Sequence, residues 1–152
     1  MDLEKFLKDA GVTYVKHEHP TAYTAQELAA EEHVTGNRVA KAVVVRAGKR
    51  HVLCVLPASY KIDMGKLGKV LSVDECHLVG ETEMGQLFPD VEVGAEPPFG
   101  KSYGLQTVVD AHLSTGEKIF FTSGTHRQAI EMSYADYVRL AEPLLADFSS
   151  HL

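Results

Sequence analysis

The stretch GNRVAKAVVVRAGKRHVLCVLP, residues 36–57, constrains the fold most. It holds two apolar, β-branched runs, Val39–Ala47 and His51–Pro57, joined by a short turn containing Gly48. Runs of this length and composition read as strands, and the turn between them makes a hairpin. Side chains alternate along a strand, so Val39, Lys41, Val43 and Val45 share one face, and Ala40, Ala42 and Val44 the other. Neither face is polar, so the hairpin belongs in a core. Lys41 is the exception. It reads either as an edge lysine whose stem covers apolar surface, or as a cation at a pocket mouth meeting an anion or a carbonyl. A desolvated ammonium is costly unless paired, so the second reading needs a phosphate, a carboxylate or other acceptors.

Around this hairpin the chain predicts short elements. Asp2 caps a first helix with Leu3, Phe6, Leu7 and Ala10 on one face and Gly11 as its stop. VTYVKHEH alternates as a strand. TAYTAQELAAEEHVTG gives a second helix, with Thr24 and Glu27 at capping-box spacing and Leu28, Ala29 and Val34 facing inward. Asp63 caps a short helix running through Leu71. VDECHLV reads as a strand, GETEMGQLF as a short helix, and the Gly- and Pro-rich PDVEVGAEPPFGKSYG as a connection. LQTVVDAHL and EKIFFTSG predict two more strands. Ser133 and Asp136 repeat the capping-box spacing before a closing helix, YADYVRLAEPLLA. The sum is one α+β domain over residues 1–152: a mixed, largely antiparallel curved sheet or barrel surrounded by helices.

Composition narrows the function classes. With 152 residues the chain can bury a real core, and its formal net charge of −6 gives no global basic field to draw in nucleic acid. A polyanion would need a local patch; Lys61, Lys66 and Lys69 could form one, or simply a solvated face. No apolar run approaches the ~20 residues of a membrane helix. The first residues, MDLEKFLKDAG, are amphipathic and acidic, unlike a secretory signal, and Cys54 and Cys76 are the only cysteines, which fits a cytoplasmic protein. Cys54 lies in an apolar strand and reads as a small core residue. There is no HExxH, CxxC, GxSxG, P-loop or Rossmann glycine pattern. His17 and His19 could share a strand face, but they do not make a metal site. No cofactor and no metal are expected.

Two further stretches stand out. GAEPPFG places Gly94, Pro97, Pro98 and Gly100 in seven residues, a stiff loop that is either a plain turn or a wall whose backbone lines a site. TSGTHRQ puts His126 and Arg127 just after Gly124, at the end of an apolar strand where ligand-facing groups are common.

Together, HPTAYTAQELA, VAKAVVV, VGAEPPFG and FFTSGTHRQAIEMSYADYVRLAEP, in this order and over nearly the whole chain, resemble the YbaK/ProX family. This is the prolyl-tRNA synthetase-associated, INS-like editing domain. The resemblance implies a trans-acting deacylase that hydrolyses the ester of a misacylated tRNA, often tRNA for proline carrying a small wrong amino acid. Its fold is a barrel-like sheet with surrounding helices. It implies that the functional lysine is Lys41, that the GxxxP loop runs from Gly94 to Pro98, and that Ala25, Leu28, Gly124 and His126 shape the amino-acid pocket. The implied partners are the aminoacyl-tRNA acceptor end and, as a candidate, prolyl-tRNA synthetase. Some alanine-directed members carry Asn directly after the lysine, where this chain has Ala42. Serine, threonine, cysteine, 2-aminobutyrate and alanine therefore all stay open. The alternative is a non-catalytic module of the same fold that binds tRNA ends or a synthetase.

Overall fold

The computed structural model describes residues 1–115 and 117–152. In chain order the elements are α1 (Leu3–Asp9), β1 (Tyr14–Glu18), α2 (Ala25–Glu31), β2 (Ala40–Ala47), β3 (Arg50–Pro57), β4 (Tyr60–Ile62), α3 (Met64–Leu71), β5 (Cys76–Leu78), α4 (Glu81–Leu87), β6 (Gln106–Asp110), β7 (Lys118–Thr122), β8 (Gln128–Ser133), α5 (Tyr134–Ala141), β9 (Leu144–Ala146) and β10 (Ser149–His151). Short 3₁₀ turns punctuate them. The predicted caps form: Asp2, Thr24, Asp63 and Ser133 each accept a backbone N–H three residues on. Among the described residues no helix is long and apolar enough to cross a membrane.

The hairpin β2–β3 is the centre. It pairs antiparallel from Ala40 with Pro57 to Ala47 with Arg50, and Gly48 takes φ +62° at its turn. It sits within a five-stranded sheet of order β5-β2-β3-β6-β9, in which β3–β6 and β6–β9 are parallel. A three-stranded antiparallel sheet, β1-β8-β7, and the small pair β10-β4 complete the strands. The α+β reading of the sequence holds, with antiparallel pairing predominant.

The apolar pattern on both faces of the hairpin explains the layering. Ala40, Val44, Leu53 and Val55 pack on one side with α1, α5 and residues Ile119, Phe121, Ile130 and Met132 of the smaller sheet. Val45, Val52, Cys54 and Leu56 pack on the other with Leu67 and Leu71 of α3 and with Phe148. A third cluster seats α2, through Leu28 and Ala29, against Val39, Ala58, Phe120 and Ala129. Each wholly buried Leu or Phe contributes roughly 1.5–3 kcal/mol of burial, which offsets the cost of ordering the chain.

Several stretches differ from their sequence pattern. The second helix stops at Glu31, short of Val34, with His33 at φ +55°, and β4 and β10 are strands the pattern does not mark. The strand expected over LQTVVDAHL ends at Asp110, because Asp110 Oδ2 accepts the His112 N–H at 3.0 Å and turns the chain into a 3₁₀ segment. The closing helix ends at Ala141 rather than running on to Ala146. Glu142 adopts φ +48° and Pro143 follows, and Leu144–Ala146 then adds a strand parallel to β6. HRQAIEMS, which carries no clear strand pattern, supplies β8, the central strand of its sheet.

Candidate active site

Lys41 stands on β2 opposite Leu56, where the packing passes from the α3 cluster to the α2 cluster. Its side chain is half-buried, and burial lowers its pKa below the usual lysine value. Nζ donates one long hydrogen bond, 3.4 Å, to Ala58 O. Gln26 Nε2 of α2 donates to the same carbonyl, also at 3.4 Å. Among the described residues no carboxylate lies within 4.0 Å of this ammonium. It is a partly desolvated cation with donors to spare, the electrostatic condition an incoming anion would relieve.

The loop after α4 is tightly bound to itself and to its neighbours. Gly94 takes φ +90°. A Cβ there would meet His126 Cε1 at 3.2 Å, so the position needs glycine for both its conformation and its space. Gly94 N–H donates to Glu96 Oε1 at 2.9 Å, and Ala95 N–H to Glu92 O at 3.0 Å. Glu96 is buried, and burial raises its carboxyl pKa against the lowering effect of the Gly94 and Glu96 backbone N–H groups. Pro98 O accepts the hydroxyl of the wholly buried Tyr137 at 2.7 Å. Stiffness here therefore comes from the prolines and from an anchor on α5.

The turn between β7 and β8 is stitched to this loop. Gly124 N–H donates to Ala95 O at 3.0 Å, Gly124 O accepts Glu92 N–H at 2.9 Å, and Gly124 takes φ +95°. His126 is buried, with Nε2 2.8 Å from Val93 O and Nδ1 3.2 Å from Ala22 O. A neutral imidazole has one N–H and can serve one of these carbonyls; the imidazolium serves both. Tyr23 packs its ring against His126 with centroids 5.0 Å apart and the planes tilted by 53°.

The structure thus brings together Gly94, Gly124 and His126, and His126 reaches Ala22 just ahead of α2, whereas Pro98 is buried and turned to Tyr137 of α5. Lys41 reaches the same helix only indirectly, through the Ala58 carbonyl it shares with Gln26, and among the described residues no hydrogen bond joins it to the Gly94 loop. Ala25 is half-buried at the start of α2, and Leu28 is wholly buried one turn in, fixing how the helix sits. Sequence reasoning did not single out Gln26, Glu96 or Tyr137. Gln26 and Glu96 lie inside the motifs quoted above, and Tyr137 stands at a buried helix position that a 3.6-residue period can flag.

Other candidates resolve differently. Burial pushes the Cys54 thiol up to about 12, the opposite of an activated nucleophile. Asp110, His112 and Asp147 place ligand-type atoms within 4.8 Å of one another, the one such group among the described residues. Asp110, however, already accepts from His112 N–H and Nδ1, Phe148 N–H and Ser149 Oγ, so its oxygens are committed to the protein. A cleft of about 310 Å³ lined by Glu18, His19, Glu92, Thr125, Arg127 and Gln128 touches the same β7–β8 turn without including Lys41.

Comparison with known proteins decides the family. The aminoacyl-tRNA editing domain matches residues 19–140, a span that holds Lys41, the Gly94–Pro98 loop and His126. The chain belongs to this family. It is 31% identical over 100 residues to the multifunctional Ser/Thr-tRNA deacylase ProXp-y of Escherichia coli (strain K12). That match covers 65% of this chain and 59% of the relative, and the ProXp-y of Escherichia coli O157:H7 matches equally. Among solved structures, hypothetical protein APE2540 superposes with TM-score 0.90 at 21% identity, covering 99% of this chain and 100% of that one. A protein offered as a trans-editing enzyme for prolyl tRNA synthetase superposes with TM-score 0.85 at 20% identity, covering 98% and 95%. At these identities the structural likeness establishes the shared fold of the editing domain.

Proposed function

We propose that this editing-domain protein is a trans-acting aminoacyl-tRNA deacylase, a single domain over residues 1–152 acting in the cytoplasm without a metal. The observation that carries the reading is the half-buried Lys41 ammonium, held by one carbonyl and with no carboxylate within 4.0 Å among the described residues. An aminoacyl-tRNA end brings a phosphate for that cation, an ester, and a free α-ammonium.

The chemistry follows from the groups present. The Lys41 ammonium grips the terminal phosphate with the donors Ala58 O does not use. The Gly94–Pro98 loop faces the aminoacyl group with backbone alone. Its Gly94 N–H is held by Glu96 Oε1 and is the donor an ester oxygen would compete for. Water, oriented by the neighbouring ribose hydroxyl, attacks the ester carbon; the bond to the tRNA oxygen breaks, that oxygen takes up the proton the water gives up, and the amino acid leaves. An ester needs less assistance than an amide, so positioning supplies most of the catalysis. Exclusion of a proline-sized chain is steric, because better filling of a pocket separates a methylene by only ~1–3 kcal/mol.

The substrate is a tRNA bearing a small wrong amino acid. The likeness to a Ser/Thr-tRNA deacylase favours serine and threonine, and tRNA for proline, with its synthetase as partner, is the first to try. The test is a panel of tRNAs charged with serine, threonine, alanine, cysteine or 2-aminobutyrate, with and without chelator. Chelator-insensitive ester loss on at least one member supports the reading. Ester loss no faster than in buffer on every member removes it, and leaves the non-catalytic binding module.

A further inference from the structure

Beside the Lys41 site lies a group of rings that the mechanism does not use. Tyr60 of β4 and His151 of β10 are direct cross-strand partners, with ring centroids 4.9 Å apart at 67°. His112, on the 3₁₀ segment after β6, stacks on Tyr60 at 4.4 Å and 27°. His151 is exposed, the His112 side chain retains 36% of its exposure, and Tyr60 is half-buried. These rings are held in place. The buried Asp110 fixes His112 through Nδ1 at 2.8 Å and N–H at 3.0 Å. The same carboxylate fixes the entry to β10 through Phe148 N–H at 3.0 Å and Ser149 Oγ at 2.7 Å. Lys66 adds a cation at the edge, reaching Ser149 O at 3.1 Å and Asp147 at 3.4 Å.

The position of this group matters as much as its make-up. Tyr60 is two residues beyond Ala58, whose carbonyl holds Lys41, across the turn that joins β3 to β4, so their Cα atoms are at most about 7 Å apart. Leu152 N–H donates to Ser59 O at 3.0 Å and ties the end of the chain to the same spot. A ligand whose phosphate rests on Lys41 therefore has its next units within reach of these rings.

We infer that Tyr60, His112 and His151 form a stacking surface for an unpaired base of an RNA acceptor end, adjoining the Lys41 site; this rests on the deacylase reading above. A chain of net charge −6 does not hold RNA by its overall field, so affinity has to come from short-range contacts. Every base offers a π-face, and stacking on aromatic or imidazole rings is the common way proteins hold unpaired nucleotides. A protein partner would be expected to meet an apolar patch here, whereas the surface offers two imidazoles, a phenol and an ammonium paired with the Asp147 carboxylate.

The test uses an uncharged RNA hairpin with a single-stranded CCA overhang, the same hairpin blunt-ended, and the full chain, with binding read by fluorescence anisotropy. His151→Ala, an exposed change, is expected to weaken overhang binding by roughly 5- to 150-fold, the range for losing one base–aromatic stack. His151→Phe restores it, blunt-hairpin binding does not move, and the loss persists at raised salt. In deacylation the same variant raises KM and leaves kcat in place. Tyr60→Phe, which keeps the ring, binds as wild type, while Tyr60→Leu weakens overhang binding with Tm monitored alongside. Overhang binding unchanged in both His151→Ala and Tyr60→Leu overturns the inference. So does a loss shared equally by the blunt hairpin, or a loss confined to association with a synthetase. Because the RNA is uncharged, these results stand apart from the ester-hydrolysis panel: a deacylase that ignores these rings fails this test and passes that one.

Discussion

Replacing Lys41 with methionine keeps the apolar stem on β2 and removes only the ammonium. In the free protein that ammonium makes one 3.4 Å hydrogen bond and meets no carboxylate among the described residues, so little native stabilisation is lost. Gln26 continues to serve Ala58 O. In the substrate complex the account gives the ammonium a charge-assisted contact to phosphate, worth about 1.5–3 kcal/mol. At about 1.4 kcal/mol per tenfold, kcat/KM for a mischarged tRNA should fall roughly 10- to 150-fold. Thermal unfolding should hold or rise slightly. The sign of the pH effect agrees: burial lowers the folded-state pKa below 10.5, so the unfolded chain holds the proton more tightly. Wild-type stability then rises with pH between that lowered value and 10.5, and Lys41→Met lacks the rise. Single-turnover deacylation beside a thermal melt reads both quantities. Activity within about twofold of wild type would refute the reasoning, and so would a loss of activity matched by a collapse in Tm.

Three further outcomes follow from the loop. Gly94→Ala forces a side chain into φ +90° and against His126 at 3.2 Å, so strain of about 1–3 kcal/mol should lower the urea midpoint and depress kcat/KM together. Tyr137→Phe strands Pro98 O in a buried setting and should destabilise by about 1–3 kcal/mol in denaturant unfolding, with a further loss of activity as the loop loosens. Glu96 has a raised folded pKa, so its contribution to stability is present at low pH and lost as pH climbs from 4.5 through that raised value. Glu96→Gln should flatten that part of the stability–pH curve, as read by thermal melts across the window.

Much of this was legible because local rules and tertiary demands agree. The β2–β3 hairpin, its two-sided apolar pattern and the capped helices follow from residue order alone, and the structure bears out each of them. The strands that escaped notice are those whose reason is elsewhere in the fold. Leu144–Ala146 is a strand because β6 offers an open edge, and Tyr60–Ile62 because Ser149–His151 reaches back to it. The site residues were legible in a different way. Nothing in GAEPPFG by itself says that Gly94 lies against His126, since those residues are far apart in sequence and meet only when β7, β8 and the loop assemble. The family resemblance supplied their grouping. Glu96, which holds the loop from within, needed coordinates, because a buried carboxylate looks like a surface residue until its partner is known; the helical period marks Tyr137 as buried without naming Pro98 O as its partner.

The most direct test of the central claim, that Lys41 and the Gly94–Pro98 loop act on one bound aminoacyl end, is heteronuclear NMR of the isotope-labelled protein titrated with a non-hydrolysable amide analogue of aminoacyl-adenosine carrying a phosphate. The account predicts shift changes at Gly94, Ala95 and Gly124 and at Ala25 of α2, together with a Lys41 Nζ signal that responds to the phosphate. Changes confined to the cleft of Glu18, Thr125 and Arg127, with Lys41 and Gly94 silent, would contradict it.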